Sequence, residues 1–295
     1  IRLLHRFINE TCKQSIEKIH LKSLKGKKIA VDISIYMYKF KHTDTLIENI
    51  FNMCTLFRYY NIHPIFVFDG VPPKEKEKEI EQRYLKKQKY RNNEKLYNRH
   101  ILTNQDIKNV KSLFDYYGMN YIVARGEADN LCAYLCRSKK VFACLSEDTD
   151  MFVFGCPYIL RYFSILNHGA VLYNYNHILE ELYLTKEEFQ YICILSGNDY
   201  LQEKHRTIHQ NYNSYIKEKQ NHQRNKNRVQ NQNQEKQNDT KNNSMCHFIN
   251  IFKEYIDSSY DDTILSSVQH ILHKIYTIHN EDFEEFSKSK LKINL

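Results

Sequence analysis

The chain has 295 residues, 42% of them hydrophobic, enough for one large α/β domain with elaborations or for one domain plus a tail. No signal peptide is evident and no apolar run is long enough to span a bilayer. The eight cysteines form no CxxC pair and sit mostly in apolar runs, so they read as reduced core residues rather than as a disulfide framework or a zinc finger. Net charge is +8 with a pI near 8.9, which fits an anionic polymer as partner.

In chain order, residues 1–25 read as helical, with Leu3, Leu4, Phe7 and Ile8 at helical spacing. Residues 29–32 are predicted to be a buried strand. Residues 43–60 are predicted to form an amphipathic helix through Leu46, Ile50, Met53, Cys54 and Phe57. A second strand is predicted over 64–69, and the charged stretch 74–100 reads as helical. A helix over 104–117 and a short strand at 121–124 come next, then a helix with Glu127 in its first turn. Residues 141–145 read as a third central strand, and residues 158–175 as strands with a turn near 167–169. Thr185 with Glu188 makes a capping box that opens a helix running to Leu195.

All seven glycines and all four prolines precede residue 198, which divides the chain. Residues 1–200 carry the punctuation of an α/β domain: a mostly parallel central sheet flanked by helices on both faces. Residues 201–245 are dominated by Asn, Gln, Lys and His and read as a disordered low-complexity insert. Helical periodicity returns over 246–295, with Phe248, Ile251, Phe252 and Tyr255.

Seven carboxylates in five short segments carry the chemistry: Asp32 in IAVDIS, Asp69 in IFVFDG, Glu127 and Asp129 in RGEADN, Asp148 and Asp150 in LSEDTDMF, and Asp199 in LSGNDY. Alone, each has an ordinary explanation as a helix cap, a turn residue or a surface acid. Together, several follow predicted buried strands, and parallel strands that end together bring distant acids to one sheet edge. Crowded carboxylates raise each other's pKa unless cations intervene. Oxygen-only ligands suit Mg²⁺ or Mn²⁺, and two such ions form a clamp for phosphodiester hydrolysis.

The 74–91 stretch holds eight Lys/Arg and four Glu. On a helix, Lys76, Arg83 and Lys87 share one face and can grip phosphate; a solvated helix laced with ion pairs is the plainer reading. Tyr36 and Tyr38 follow Asp32 closely. Tyr38 can stack on a nucleobase or pack in the core, and taken alone the core is favoured.

Together these segments resemble the flap endonuclease branch of the xeroderma pigmentosum group G family of structure-specific nucleases. IRLLHRFI resembles the family's N-terminal segment, GKKIAVDISIYMYKF and FVFDGVPPKEK its first two metal motifs, RGEADNLCA its Glu-Ala-Glu-Ala motif with Asp129 as the second acid, and LSEDTDMFVFG and LSGNDY its last two. The resemblance covers about residues 1–200. It implies a PIN-like 5′-nuclease fold with a helical arch over 74–105 and a divergent helical C-terminal part. It also implies two Mg²⁺ ions (Mn²⁺ as substitute) held by the seven acids, phosphate contacts from Lys76 and Arg83, and Tyr38 on a base.

The implied partner is DNA with a 5′ flap, a branch or a free 5′ end, at a nuclear or other intracellular site of replication, a viral replication compartment included. The family's Gly-rich helix–two-turn–helix element is missing, since no glycine follows Gly197, and no C-terminal box supports a sliding-clamp partner. The rival readings are an RNA-directed 5′ exonuclease of related fold and a catalytically weak junction-binding scaffold. A haloacid-dehalogenase phosphatase is disfavoured, because Val67 stands where its nucleophilic Asp belongs.

Overall fold

The computed structural model describes residues 3–71, 102–197 and 206–230, with only the backbone at 222–223 and 225–230. Asp199, Lys76, Arg83, Lys87, most of the expected arch and all of 246–295 lie outside the described residues. The described residues fall into two compact units, one of residues 8–183 and one of residues 3–7 with those from 184 onward.

The larger unit is built on a seven-stranded mixed sheet. Its strands are β1 (Ile16–His20), β2 (Lys28–Asp32), β3 (His63–Phe68), β4 (Asn120–Val123), β5 (Ala143–Leu145), β6 (Tyr158–Ser164) and β7 (Gly169–Asn174), in the order β1-β7-β6-β5-β2-β3-β4. The run β6-β5-β2-β3-β4 is parallel, and β7 and β1 close one side antiparallel. β2 is central, with Ile29, Ala30 and Val31 fully buried, and a strand covered on both faces reads as a continuous apolar run.

Helices pack on the sheet because their apolar stripes match it. After α1 (Leu4–Thr11) and α2 (Ile33–His42), α3 (Leu46–Tyr59) buries Leu46, Ile50, Met53 and Phe57. α4 (Asn104–Tyr117) starts at a Thr103–Asp106 capping box and ends at Gly118, whose φ of 65° is the left-handed conformation that glycine supplies without strain. The core between them is aromatic: Phe66 stacks on Phe114 with centroids 4.2 Å apart, and Phe57 meets both Phe66 and Phe163. Among the described residues seven cysteines are buried, and no described helix is long and apolar enough to cross a membrane.

Two expectations are corrected. Residues 1–25 are not helical throughout: α1 ends at Thr11 and residues 16–20 are the edge strand β1, recruited by pairing with β7. Residues 201–245 are not wholly disordered: after α7 (Tyr175–Glu181), the last described helix of the larger unit, the smaller unit has α8 (Lys186–Leu195) followed by α9 (Ile208–Gln230). α9 is polar in composition, yet Ile208, Asn211 and Tyr215 share a buried face at helical spacing.

Polar pairing holds that face. Asn211 Nδ2 donates to Ser196 Oγ at 2.9 Å; the buried Glu188 accepts from Tyr215 Oη at 2.5 Å and from Lys219 Nζ at 2.8 Å. A composition window misses such a face because its adhesion comes from hydrogen bonds rather than apolar area. Tyr215→Phe should therefore destabilise the full chain by about 1–3 kcal/mol, because it takes a donor from a buried carboxylate. Urea unfolding followed by helical ellipticity checks this, and an unchanged midpoint would show that Glu188 does not depend on Tyr215.

Candidate metal centre

The sheet reverses direction of growth at β2. The chain proceeds outward from β2 to β3 and β4, and on the other side from β5 to β6. The connections leaving the carboxyl ends of β2 and β5 therefore run opposite ways and open a crevice, the usual place for a site in an open parallel sheet. Asp32 is the last residue of β2, Asp69 follows β3, and Asp148 stands three residues beyond β5.

Asp32 is only 4% exposed, and its Oδ2 accepts from Ser146 Oγ at 3.0 Å. The same Ser146 Oγ accepts from the Asp148 N–H at 3.1 Å, and Asp148 Oδ1 accepts from the Asp150 N–H at 2.9 Å. Asp150 opens the short helix α6 (Asp150–Val153).

The other side is set by α5 (Ala128–Arg137). Glu127 is its N-cap residue with extended backbone, and Asp129, 8% exposed, lies in its first turn. Both stand at the positive end of the helix, which favours carboxylates. Asp69 joins them, because its Oδ1 accepts from the Ala128 N–H at 2.8 Å.

Gly70 makes that contact possible. Its N–H donates to the Gly126 carbonyl at 2.7 Å, and Val71 N donates to Arg125 O at 2.9 Å. A Cβ on Gly70 would lie 1.9 Å from the Ala124 carbonyl oxygen, so no side chain fits there.

Charge accumulates in the crevice. Burial pushes the Asp32 carboxyl up to about 7, and Asp69 and then Asp148 push the same way against the Ser146 hydrogen bond. Among the described residues, no three His, Cys, Asp or Glu side chains are gathered closely enough to hold an ion. Asp69, Asp129 and Asp148 each turn one oxygen onto a backbone N–H instead. The donor set still fits a hard divalent cation: it is all oxygen, strongly acidic, and close enough that neighbouring charges already oppose ionisation of Asp32.

The structure thus brings Asp32, Asp69 and Asp148 to one edge, with Glu127, Asp129 and Asp150 adjoining through α5 and α6. Tyr36 is fully buried and Tyr38 is 55% exposed, which overturns the core reading of Tyr38. A helix over 33–42 turns the two tyrosines, two residues apart, in different directions.

Family models match most of this architecture: the XPG N-terminal domain over residues 1–90 and the XPG I-region over residues 118–199. The chain belongs to the XPG family. It is 32% identical over 231 residues to flap endonuclease 1 of Enterocytozoon bieneusi, across 68% of this chain and 64% of that one. Among solved structures, the catalytic core of Rad2 in complex with DNA substrate is similar with a TM-score of 0.56 at 30% identity, over 66% of this chain and 63% of that one. Flap endonuclease-1 from Methanococcus jannaschii gives a TM-score of 0.54 at 25% identity, over 67% of this chain and 73% of that one. The XPG-family chain spans 57% to 67% of the length of the curated relatives compared, and 64% or less of the first three.

Sequence reasoning passed over Ser146, Gly70 and Arg161. Ser146 and Gly70 look like ordinary neighbours of the acids, and their roles depend on strands that only the fold brings together. Arg161 had a signal, a charge inside the apolar run YILRYFS.

Two outcomes follow from this geometry. Gly70→Ala should separate Asp69 from α5 and depress any divalent-ion binding about tenfold or more, the scale of losing a supporting contact at a metal site; calorimetric titration with Mn²⁺ reads it. Asp32 ordinarily titrates near 3.8 and in the fold near 7, so the metal-free folded state holds this proton more tightly than the unfolded chain. Metal-free stability therefore falls as pH rises between those values and levels off above them. Asp32→Asn should melt several degrees above the parent at pH 8 in EDTA, with the gap closing toward pH 4. A parent as stable as the variant at pH 8 would contradict the charge crowding.

Proposed function

We propose that this XPG-family chain is a divalent-metal-dependent, structure-specific 5′ nuclease that hydrolyses DNA phosphodiester bonds at 5′ flaps, branches or free 5′ ends. The observation that carries the reading is the meeting of Asp32, Asp69 and Asp148 at the switch point of an XPG-family sheet.

Asp32, Asp69, Glu127, Asp129, Asp148 and Asp150 are the ligands this reading assigns, with Asp199 acting through water. When bound, two Mg²⁺ ions, or Mn²⁺ in their stead, supply a more acidic water and positive charge against the phosphate. The chain's own part is placement. Ser146 holds Asp32, the α5 N-terminus holds Asp69, and the 146–150 turn holds Asp148 and Asp150.

In this reading Lys76 and Arg83 add charge against the scissile phosphate and Lys87 grips the DNA backbone. Tyr38, exposed on α2, stacks on an unpaired terminal base. In this reading residues 1–200 carry the hydrolysis, and the chain acts where DNA is replicated or repaired.

The test is Mg²⁺-dependent cleavage of an end-labelled 5′-flap DNA beside nicked duplex, blunt duplex and 5′-phosphorylated RNA. Cleavage at the flap base is expected, and Asp150→Asn should lower turnover at least ~100-fold while DNA binding persists. Preferential cutting of the RNA would replace the DNA assignment with a 5′ ribonuclease. Binding without cleavage of any substrate would replace it with a junction scaffold.

A further inference from the structure

Strand β6 buries a charge that its apolar pattern does not explain. Arg161 is 5% exposed, in the middle of YILRYFS. Its Nη2 donates to the main-chain oxygen of Glu147 at 2.6 Å, and its Nε lies 3.6 Å from Glu147 Oε2. Glu147 Oε1 accepts two further bonds, from the Tyr162 N–H at 2.7 Å and from the Oη of fully buried Tyr36 at 3.3 Å. Tyr162 has φ of 54°, beside a slip in the β6–β7 register between Arg161 and Ser164. A bulky residue rarely adopts that conformation, and bulges of this kind re-aim groups beside active sites.

Glu147 stands between Ser146, which bonds Asp32, and Asp148. Ser146 N donates to Leu160 O at 3.1 Å, carrying the β5–β6 ladder past the end of β5 and laying Arg161 against the turn. The turn that bears two of the acids is therefore fastened on its inner side by four groups from β6 and α2, and none of them is itself a candidate ligand. Because the Arg161 charge is matched by Glu147, its contribution is mechanical rather than a counter-charge for the acids.

We propose that Glu147 and Arg161, with Tyr36 and Tyr162, form a positioning clamp that sets where the Asp148 and Asp150 carboxylates stand for a divalent cation. This rests on the metal-centre reading above. A half-broken buried pair leaves the turn free to swing, and supporting contacts of this kind govern metal affinity.

The test is Mn²⁺ binding to the full chain by electron paramagnetic resonance, with metal-free melting measured in parallel. Arg161→Lys keeps the charge but gives up the Nη2 that donates to the Glu147 main-chain oxygen, and should weaken Mn²⁺ binding about tenfold. Glu147→Gln should weaken it to a similar extent, and the double variant should be no worse than Arg161→Lys, because the two act as a unit. Arg58→Lys, which disturbs a remote arginine bound to the Tyr117 carbonyl, should melt earlier yet bind Mn²⁺ as the parent does. Parent-like Mn²⁺ binding by Arg161→Lys, or an equal loss in Arg58→Lys, would overturn the clamp while leaving the metal centre standing. A parent that binds no Mn²⁺ would overturn both.

Discussion

Burial of a carboxylate with other carboxylates beside it is the constraint on which the arrangement of this protein turns. Asp32 ends a strand that is buried from Ile29 onward, so its carboxyl faces a poorly solvated crevice with Asp69 and Asp148 nearby. The usual remedy for buried acids is an ion pair. Here the holding groups shown are neutral: a serine hydroxyl for Asp32, the Ala128 N–H for Asp69, the Asp150 N–H for Asp148. Neutral donors locate a carboxylate without cancelling its charge, so the edge keeps its negative potential for a cation. Behind it lies a buried guanidinium, Arg161, whose charge is matched by Glu147.

The same economy of neutral contacts explains why glycine matters at one place in particular. The segment after β3 and the segment before α5 run backbone to backbone, joined by the Gly70–Gly126 and Val71–Arg125 hydrogen bonds. Only a residue without Cβ fits against the Ala124 carbonyl, and the contact brings Asp69 onto the first N–H of α5. A turn residue thereby becomes part of the site's geometry. The smaller unit follows a different logic: α9 has little apolar surface and is held through the buried Glu188, Ser196, Asn211 and Tyr215.

Much of the architecture was legible in the chain. The strands leading to Asp32 and Asp69, the helix over 104–117 and the Thr185 capping box stand where periodicity and capping chemistry put them, because local pattern and burial agree there. β1 was not legible, since an exposed edge strand has no apolar run of its own and exists by pairing with β7. α9 was hidden by a composition that resembles disorder. Tyr36 and Tyr38 were indistinguishable by type and neighbourhood until α2 gave each a direction.

By itself, the sequence determined which residues are acidic, where the buried strands lie and that the motif order is that of the XPG family, because these are properties of residue type and spacing. Tertiary structure alone decided the strand order that sets β2 between β3 and β5, and with it which acids act on one another. It also decided that Glu147 turns inward to Arg161 while Ser146 and Asp148 bond toward the crevice. Adjacent residues on a turn can face opposite ways, and only the partners brought up by β6 and α2 select the direction of each.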